Sequence, residues 1–192
     1  MQLLISNDDG VHAEGLAYLV QELEQDHQLT VIAPDRDLSG ASNSLTLSRP
    51  VRLMPQKNGF FSIDGTPADC VHLGINGALE ITPDMVVSGI NHGANLGDDV
   101  LYSGTVAAAM EGRYLAHHAM AVSLVGKRHF LTAAKVARQL MTSIKQLNLP
   151  ARCIINVNVP DLPYEQIKGV KVTRLGSREL GGAAIDAQDP RG

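Results

Sequence analysis

The order of the hydrophobic runs at the amino end constrains this fold more than any other feature. Residues 2–6 form a short apolar run closed by Asn-Asp-Asp-Gly, the pattern of a buried strand. Leu16, Leu19, Val20 and Leu23 then recur at i, i+3, i+4 and i+7, the apolar stripe of a helix. Residues 29–33 are β-branched and apolar, and Pro34 stops them. Strand, helix and strand at these lengths make a βαβ unit, so the two strands lie parallel with a right-handed crossover.

The alternation continues along the chain. Two short runs around Val51–Met54 and Phe60–Ile63 flank Asn58-Gly59, a strong hairpin signal, and read as a β-hairpin decorating the main sheet. Thr66-Pro67 caps a helix over 68–79. Residues 84–88 form a strand that empties into a glycine-rich loop over 89–102, and Ser103-Gly104-Thr105 opens a helix over 106–117. A strand over 119–124 follows, then the longest helix over 131–147 with Val136, Leu140, Ile144 and Leu147 on one face, a strand over 153–159, and an edge strand over 170–175. The expected architecture is a single α/β domain over residues 1–192 with a mostly parallel sheet and a β-hairpin insertion. Residues 176–192 are polar and glycine-rich and end on an Asp-Pro-Arg-Gly turn, which suggests a missing partner strand.

Composition narrows the function. A chain of 192 residues buries roughly 70% of its unfolded surface and needs no staples. With 44% apolar residues and 19% charged ones, disorder is excluded. The net charge of −4 argues against polymeric nucleic acid as a partner, which requires clustered Lys and Arg. The longest basic run, Lys127-Arg128-His129, reads as a solvated helix start. Cys70 and Cys153 form no CxxC pair and sit among apolar neighbours, as buried thiols do in a reducing compartment. The amino end turns acidic too early for a secretory leader, and no run approaches the roughly 18 apolar residues of a membrane span. A soluble cytoplasmic protein without a membrane partner is expected.

In an open parallel sheet, ligands bind beyond the carboxyl ends of the strands. The loops there, residues 7–10, 35–44 and 89–99, are rich in oxygen donors and poor in Lys and aromatic residues. Asp8 and Asp9 are adjacent at the end of the first strand, where two carboxylates repel and each resists desolvation. A solvated turn is the bland reading, but the position after a first parallel strand favours a divalent cation. All-oxygen donors suit Mg²⁺, Mn²⁺ or Ca²⁺ and argue against zinc. His12 and His92 lie at the same end and read as exposed loop residues, His117-His118 as cations complementing a helix C-terminus, and His72 as packing. At Ser103-Gly104-Thr105 an N-cap explains the sequence by itself. Beside a bound cation, the same helix start becomes an anion site, and a monophosphate is the simplest ligand that satisfies both features. Neither GxxxxGK[ST] nor GxGxxG is present.

These motifs resemble the SurE family of metal-dependent 5′- and 3′-nucleotidases. The resemblance runs through Asn7-Asp8-Asp9-Gly10, Ala33-Pro34-Asp35, Ser39-Gly40-Ala41-Ser42-Asn43-Ser44 and Gly65-Thr66-Pro67-Ala68-Asp69-Cys70-Val71. It continues in Ser88-Gly89-Ile90-Asn91, Asn95-Leu96-Gly97-Asp98-Asp99, Tyr102-Ser103-Gly104-Thr105-Val106-Ala107-Ala108-Ala109 and Ile155-Asn156-Val157-Asn158-Val159-Pro160. The resemblance implies a Rossmann-like three-layer fold and hydrolysis of nucleoside 5′- and 3′-monophosphates, with short-chain polyphosphate as a further substrate. It implies one divalent cation per subunit, Mg²⁺ or Mn²⁺, held by Asp8, Asp9, Ser39 and Asn91. Asn43, Asn95, Ser103, Gly104 and Thr105 fall on the phosphate side. The catalytic work falls to Asp8 and Asp9, either as base toward a metal-activated water or with Asp8 as nucleophile, and Tyr102 leans on the base or merely packs. The family's C-terminal segment, with a hairpin exchanged between subunits in a homodimer or homotetramer, is expected to be absent after residue 192. The alternative is a non-catalytic phospho-receiver or nucleotide-binding regulator. A receiver needs a phosphorylatable Asp after its third strand, where this chain has Ser88 and Asn91.

Overall fold

The computed structural model describes residues 1–177. Seven strands form one sheet: β1 (Gln2–Ser6), β2 (Gln28–Pro34), β3 (Leu53–Pro55), β4 (Phe61–Ile63), β5 (Met85–His92), β6 (Met120–Val125) and β7 (Ile155–Pro160). They lie in the order β3-β4-β2-β1-β5-β6-β7, and every pairing is parallel except β3 with β4. Four helices, α1 (Glu14–Leu23), α2 (Pro67–Ile75), α3 (Gly104–Glu111) and α4 (Phe130–Ser143), cover its two faces.

Strand alternation builds both cores. Leu3, Ile5, Val31, Met85, Val87, Met120 and Val122 face one side, where they pack with Leu16, Leu19 and Leu23 of α1 and Phe130, Ala133 and Ala137 of α4. Leu4, Ile32, Val86 and Ala121, each one step out of phase, meet Val71 of α2 and Val106, Ala108 and Ala109 of α3 on the other. Both faces are covered, so the central strands read as continuous apolar runs. Full burial of each large side chain contributes roughly 1.5–3 kcal/mol. Leu16, Leu19, Val20 and Leu23 are all buried, as the helical spacing requires.

The differences from the sequence reading have local causes. The hairpin does not merely decorate the sheet: β4 pairs in parallel with β2, so β3 and β4 extend it. Strand β5 runs on to His92, which shortens the glycine-rich loop, and Gly97–Leu101 is a turn of 3-10 helix. Gly89 permits this, because its φ is +140° and a side chain there would strike the Val122 carbonyl on β6. Helices α2 and α3 stop at Ile75 and Glu111, well before 79 and 117, so His117 and His118 follow a loop and do not cap a helix. Helix α4 passes into a 3-10 turn at Ile144–Gln146. Residues 170–175 form no strand; Val170 and Val172 are exposed, with no ladder partner among the described residues. Cys70 is buried but Cys153 only half-buried. The terminal turn at 189–192 lies outside the described residues.

Lys127-Arg128-His129 does precede a helix, and the structure shows what holds the turn that leads into it. The Asp161 carboxylate, just past β7, accepts the backbone N–H groups of Lys127 at 3.0 Å, Arg128 at 3.3 Å and His129 at 2.9 Å. These bonds hold its pKa well below the usual carboxylate range.

Candidate active site

The turn after β1 meets the amino end of α3, and β5 and β6 run parallel beside β1 in the sheet. Asp8 and Asp9 leave β1 in a turn closed by the Asn7 side-chain amide, which donates to the Gly10 carbonyl at 2.9 Å. Asp8 is buried. Its Oδ1 accepts the Thr105 hydroxyl, and the Thr105 backbone N–H faces the same carboxylate. Burial pushes its pKa up to about 6; the Thr105 hydroxyl opposes this and the neighbouring Asp9 charge adds to it. Asp9, half-buried, accepts the His92 backbone N–H at 3.2 Å, and burial raises its pKa too.

Glycine at 104 is a steric requirement. A Cβ there would come within 2.7 Å of Asp8 Cβ and 3.0 Å of Pro67 Cγ. Helix α3 therefore abuts the carboxylate directly. Ser103 caps it, its hydroxyl accepting the Val106 N–H at 3.1 Å, so the N-cap reading holds.

The remaining sequence candidates arrive on two loops and one strand. The Leu38 N–H donates to the Asp8 carbonyl at 2.8 Å, setting Ser39 next to the acidic pair. Ser39 is exposed and its hydroxyl donates to Asp37 Oδ1 at 2.6 Å. Asn91 is buried at the end of β5, where its amide donates to the Gly93 carbonyl at 2.9 Å. Asn43 is exposed and shares the wall of a cavity with Ser103; the neighbouring Ser42 N–H donates to the Tyr102 carbonyl at 3.1 Å. Tyr102 itself is exposed. His12 and His92 are exposed, and His72 pairs with Glu111 at 2.8 Å between α2 and α3.

Sequence reading missed the ties that hold these loops. Asp69 completes a capping box with Thr66 and also reaches across to Thr46, accepting its N–H at 2.9 Å and its hydroxyl at 2.6 Å. The Thr66-x-x-Asp69 spacing announces the box; the reach to Thr46 is not local. Burial raises the Asp69 pKa, but the Thr46 and Thr66 bonds outweigh it and the net shift is downward. Asp69 therefore stabilises the fold fully above about pH 4, and the contribution is lost as pH falls through its lowered native value. Asp69→Ala is expected to cost roughly 1–2 kcal/mol at pH 7, the range of a lost cap, with a smaller difference from wild type in acid. Urea unfolding at pH 7 and in acid checks this; equal losses at both would contradict it.

Asp8, Asp9, Ser39 and Asn91 make a donor set of hard oxygen atoms. Asn7 Oδ1, beside them in sequence, is buried without a hydrogen-bond partner. No group of three or more His, Cys, Asp or Glu side chains suited to a metal occurs among the described residues. Two partly desolvated carboxylates with raised pKa values are the environment that a divalent cation relieves. These residues fit Mg²⁺ or Mn²⁺ and do not fit a site of thiolates and imidazoles.

The fold is that of a doubly wound α/β protein, with acidic, oxygen-rich loops at the carboxyl ends of its strands, where ligands of such folds bind. The family model described as survival protein SurE matches residues 3–182. The 5′-nucleotidase SurE of Pseudoalteromonas atlantica is 56% identical, covering 100% of this chain and 78% of that protein. The 5′-nucleotidase SurE of Legionella pneumophila strain Philadelphia 1 is 58% identical, covering 100% and 77%. The crystal structure of the SurE protein from Aquifex aeolicus superposes with a TM-score of 0.86 at 44% identity, covering 93% of this chain and 73% of that chain. This chain belongs to the SurE family.

Proposed function

We propose that this chain is a divalent-cation-dependent nucleotidase that hydrolyses nucleoside monophosphates to nucleoside and phosphate. The carrying observation is the direct abutment of the buried Asp8 carboxylate on the start of α3, through Thr105 and Gly104. The names of its relatives support the same activity. Asp8, Asp9, Ser39 and Asn91 would hold the cation, Mg²⁺ or Mn²⁺. When bound, it supplies charge neutralisation at phosphoryl oxygens and a source of hydroxide near neutral pH.

The chain's own residues divide the remaining work. Thr105 fixes Asp8, so Asp8 serves as an oriented ligand. Asp9 is more accessible and is the carboxylate suited to take the proton from the attacking water. Ser103 offers its hydroxyl proton, and Gly104 and Thr105 the positive end of α3, to the phosphate, with Asn43 and Asn95 at its flanks. A cavity of about 720 Å³ opens beside Asn43 and Ser103 and is floored by Val106, Met110 and Ile154. Its size suits a nucleoside, and its apolar floor suits a base. No helix among the described residues is long and apolar enough to cross a membrane.

Phosphate release from 5′-AMP, 3′-AMP and tripolyphosphate, with Mn²⁺, with Mg²⁺ and after EDTA, tests the proposal. Catalytic release from 5′-AMP that falls at least ~100-fold on chelation is expected. Stoichiometric AMP binding without release would favour the regulator, and undiminished release in EDTA would remove the cation.

A further inference from the structure

Asn95 lies beyond the end of β5, outside any ladder, yet it is more firmly tied than its loop position requires. Its carbonyl accepts the side-chain amides of Asn156 at 2.9 Å and Asn158 at 3.0 Å. Its N–H donates to Asn158 Oδ1 at 2.9 Å. The Asn158 carboxamide thus grips both main-chain polar groups of one residue, as a neighbouring strand would. Asn156 and Asn158 are two apart on β7 and so share a face of the sheet. The Asn95 side-chain amide donates to Ser123 Oγ at 2.8 Å. In the register of the sheet, Asn91 of β5 pairs with Ser123 of β6, and Ser123 with Asn158 of β7. A polar row therefore runs from the cation side to the edge of the sheet, and Asn95 hangs from it by both backbone and side chain.

We propose that Asn158, assisted by Asn156, is a positioning residue that holds Asn95 in place toward the substrate phosphate. With one Nδ2 proton donated to Ser123 and its main chain clamped from β7, the Asn95 carboxamide cannot rotate or drift with its loop, and the second Nδ2 proton remains for a phosphate oxygen. A hydrogen bond made without that freedom is stronger in the complex, because less ordering accompanies binding. The inference rests on the reading of Asn95 as a phosphate contact, and the experiment separates the two.

The Ki of inorganic phosphate, and kcat and KM for 5′-AMP, are measured with Mn²⁺ for Asn95→Ala, Asn158→Leu, the double variant and Asn158→Asp. Asn95→Ala and Asn158→Leu are each expected to raise the Ki of phosphate about tenfold, and the double variant no more than Asn95→Ala alone, since the clamp reaches the phosphate only through Asn95, whereas the KM of Asn158→Leu for 5′-AMP also carries the place of Asn158 in the cavity wall. A purely structural role would make the two losses multiply, and that result overturns the proposal. Asn158→Asp provides a check that retains the side-chain shape. As a carboxylate it keeps the acceptor but repels the Asn95 carbonyl; protonated, it restores both bonds. Its Ki relative to wild type should be about tenfold higher in base and converge on wild type as pH falls. A ratio near one at every pH overturns the clamp. An Asn95→Ala effect with no Asn158 effect overturns the clamp alone, whereas no effect of Asn95→Ala overturns the phosphate-contact reading beneath it.

Discussion

Asp8→Asn is expected to lower phosphate release from 5′-AMP by at least ~10³-fold, about 4 kcal/mol of transition-state stabilisation, while the protein remains folded. The exchange keeps shape and the acceptor for Thr105, but removes a full negative charge from the ligand set. Its effect on stability should run the other way. Burial raises the Asp8 pKa to about 6, above the usual carboxylate range, so ionising it weakens the fold in the absence of a cation. The penalty is absent below about pH 4, grows as pH rises to the native value, and is constant above it, on the order of 3 kcal/mol. Thermal denaturation in EDTA should therefore find Asp8→Asn at least as stable as wild type at pH 8, with the advantage vanishing near pH 4. Added Mn²⁺ should raise the wild-type Tm and leave the variant's unchanged. A destabilised variant that retains Mn²⁺-dependent turnover would contradict both halves.

Gly104→Ala is expected to reduce kcat/KM about 100-fold with little loss of fold. One methyl group is added at a junction of three elements: the end of β1, the first turn of α2 and the first turn of α3. The new carbon would meet Asp8 Cβ at 2.7 Å, Asp8 Oδ2 at 2.9 Å and Pro67 Cγ at 3.0 Å, against ordinary carbon contacts of about 3.5–4.0 Å. Something has to move by close to ~1 Å, a displacement that costs on the order of 100-fold when it falls on catalytic geometry. Overpacking costs roughly 1–3 kcal/mol, partly offset by up to about 1 kcal/mol from alanine's better helix propensity. Kinetics beside urea unfolding separate the two effects. Activity within twofold of wild type would mean that α3 does not need to abut Asp8.

Much of the molecule is legible in the sequence because it is written in local pattern. The 3.6-residue spacing of Leu16, Leu19, Val20 and Leu23 and the apolar runs of β1 and β2 specify the βαβ unit, and Asn58-Gly59 specifies the hairpin. Helix ends were harder to read: α2 and α3 stop early although apolar residues continue, since periodicity does not mark where a chain leaves a sheet face. Residues 170–175 look like a strand, but a strand requires a partner, and a single sequence does not name one. In the site, adjacency revealed Asp8-Asp9 and the helix start at Ser103. The Asp69–Thr46 tie and the Asn158–Asn95 clamp span 23 and 63 residues, so only the assembled sheet discloses them.

The most direct test is the anomalous scattering of manganese in crystals of the full chain soaked with Mn²⁺. One peak is expected per subunit, bounded by the carboxylates of Asp8 and Asp9 with the Ser39 hydroxyl and Asn91 amide oxygen, and no peak in Asp8→Asn crystals. Manganese bound elsewhere, or bound equally in the variant, would contradict the assignment of these residues as the cation's ligands.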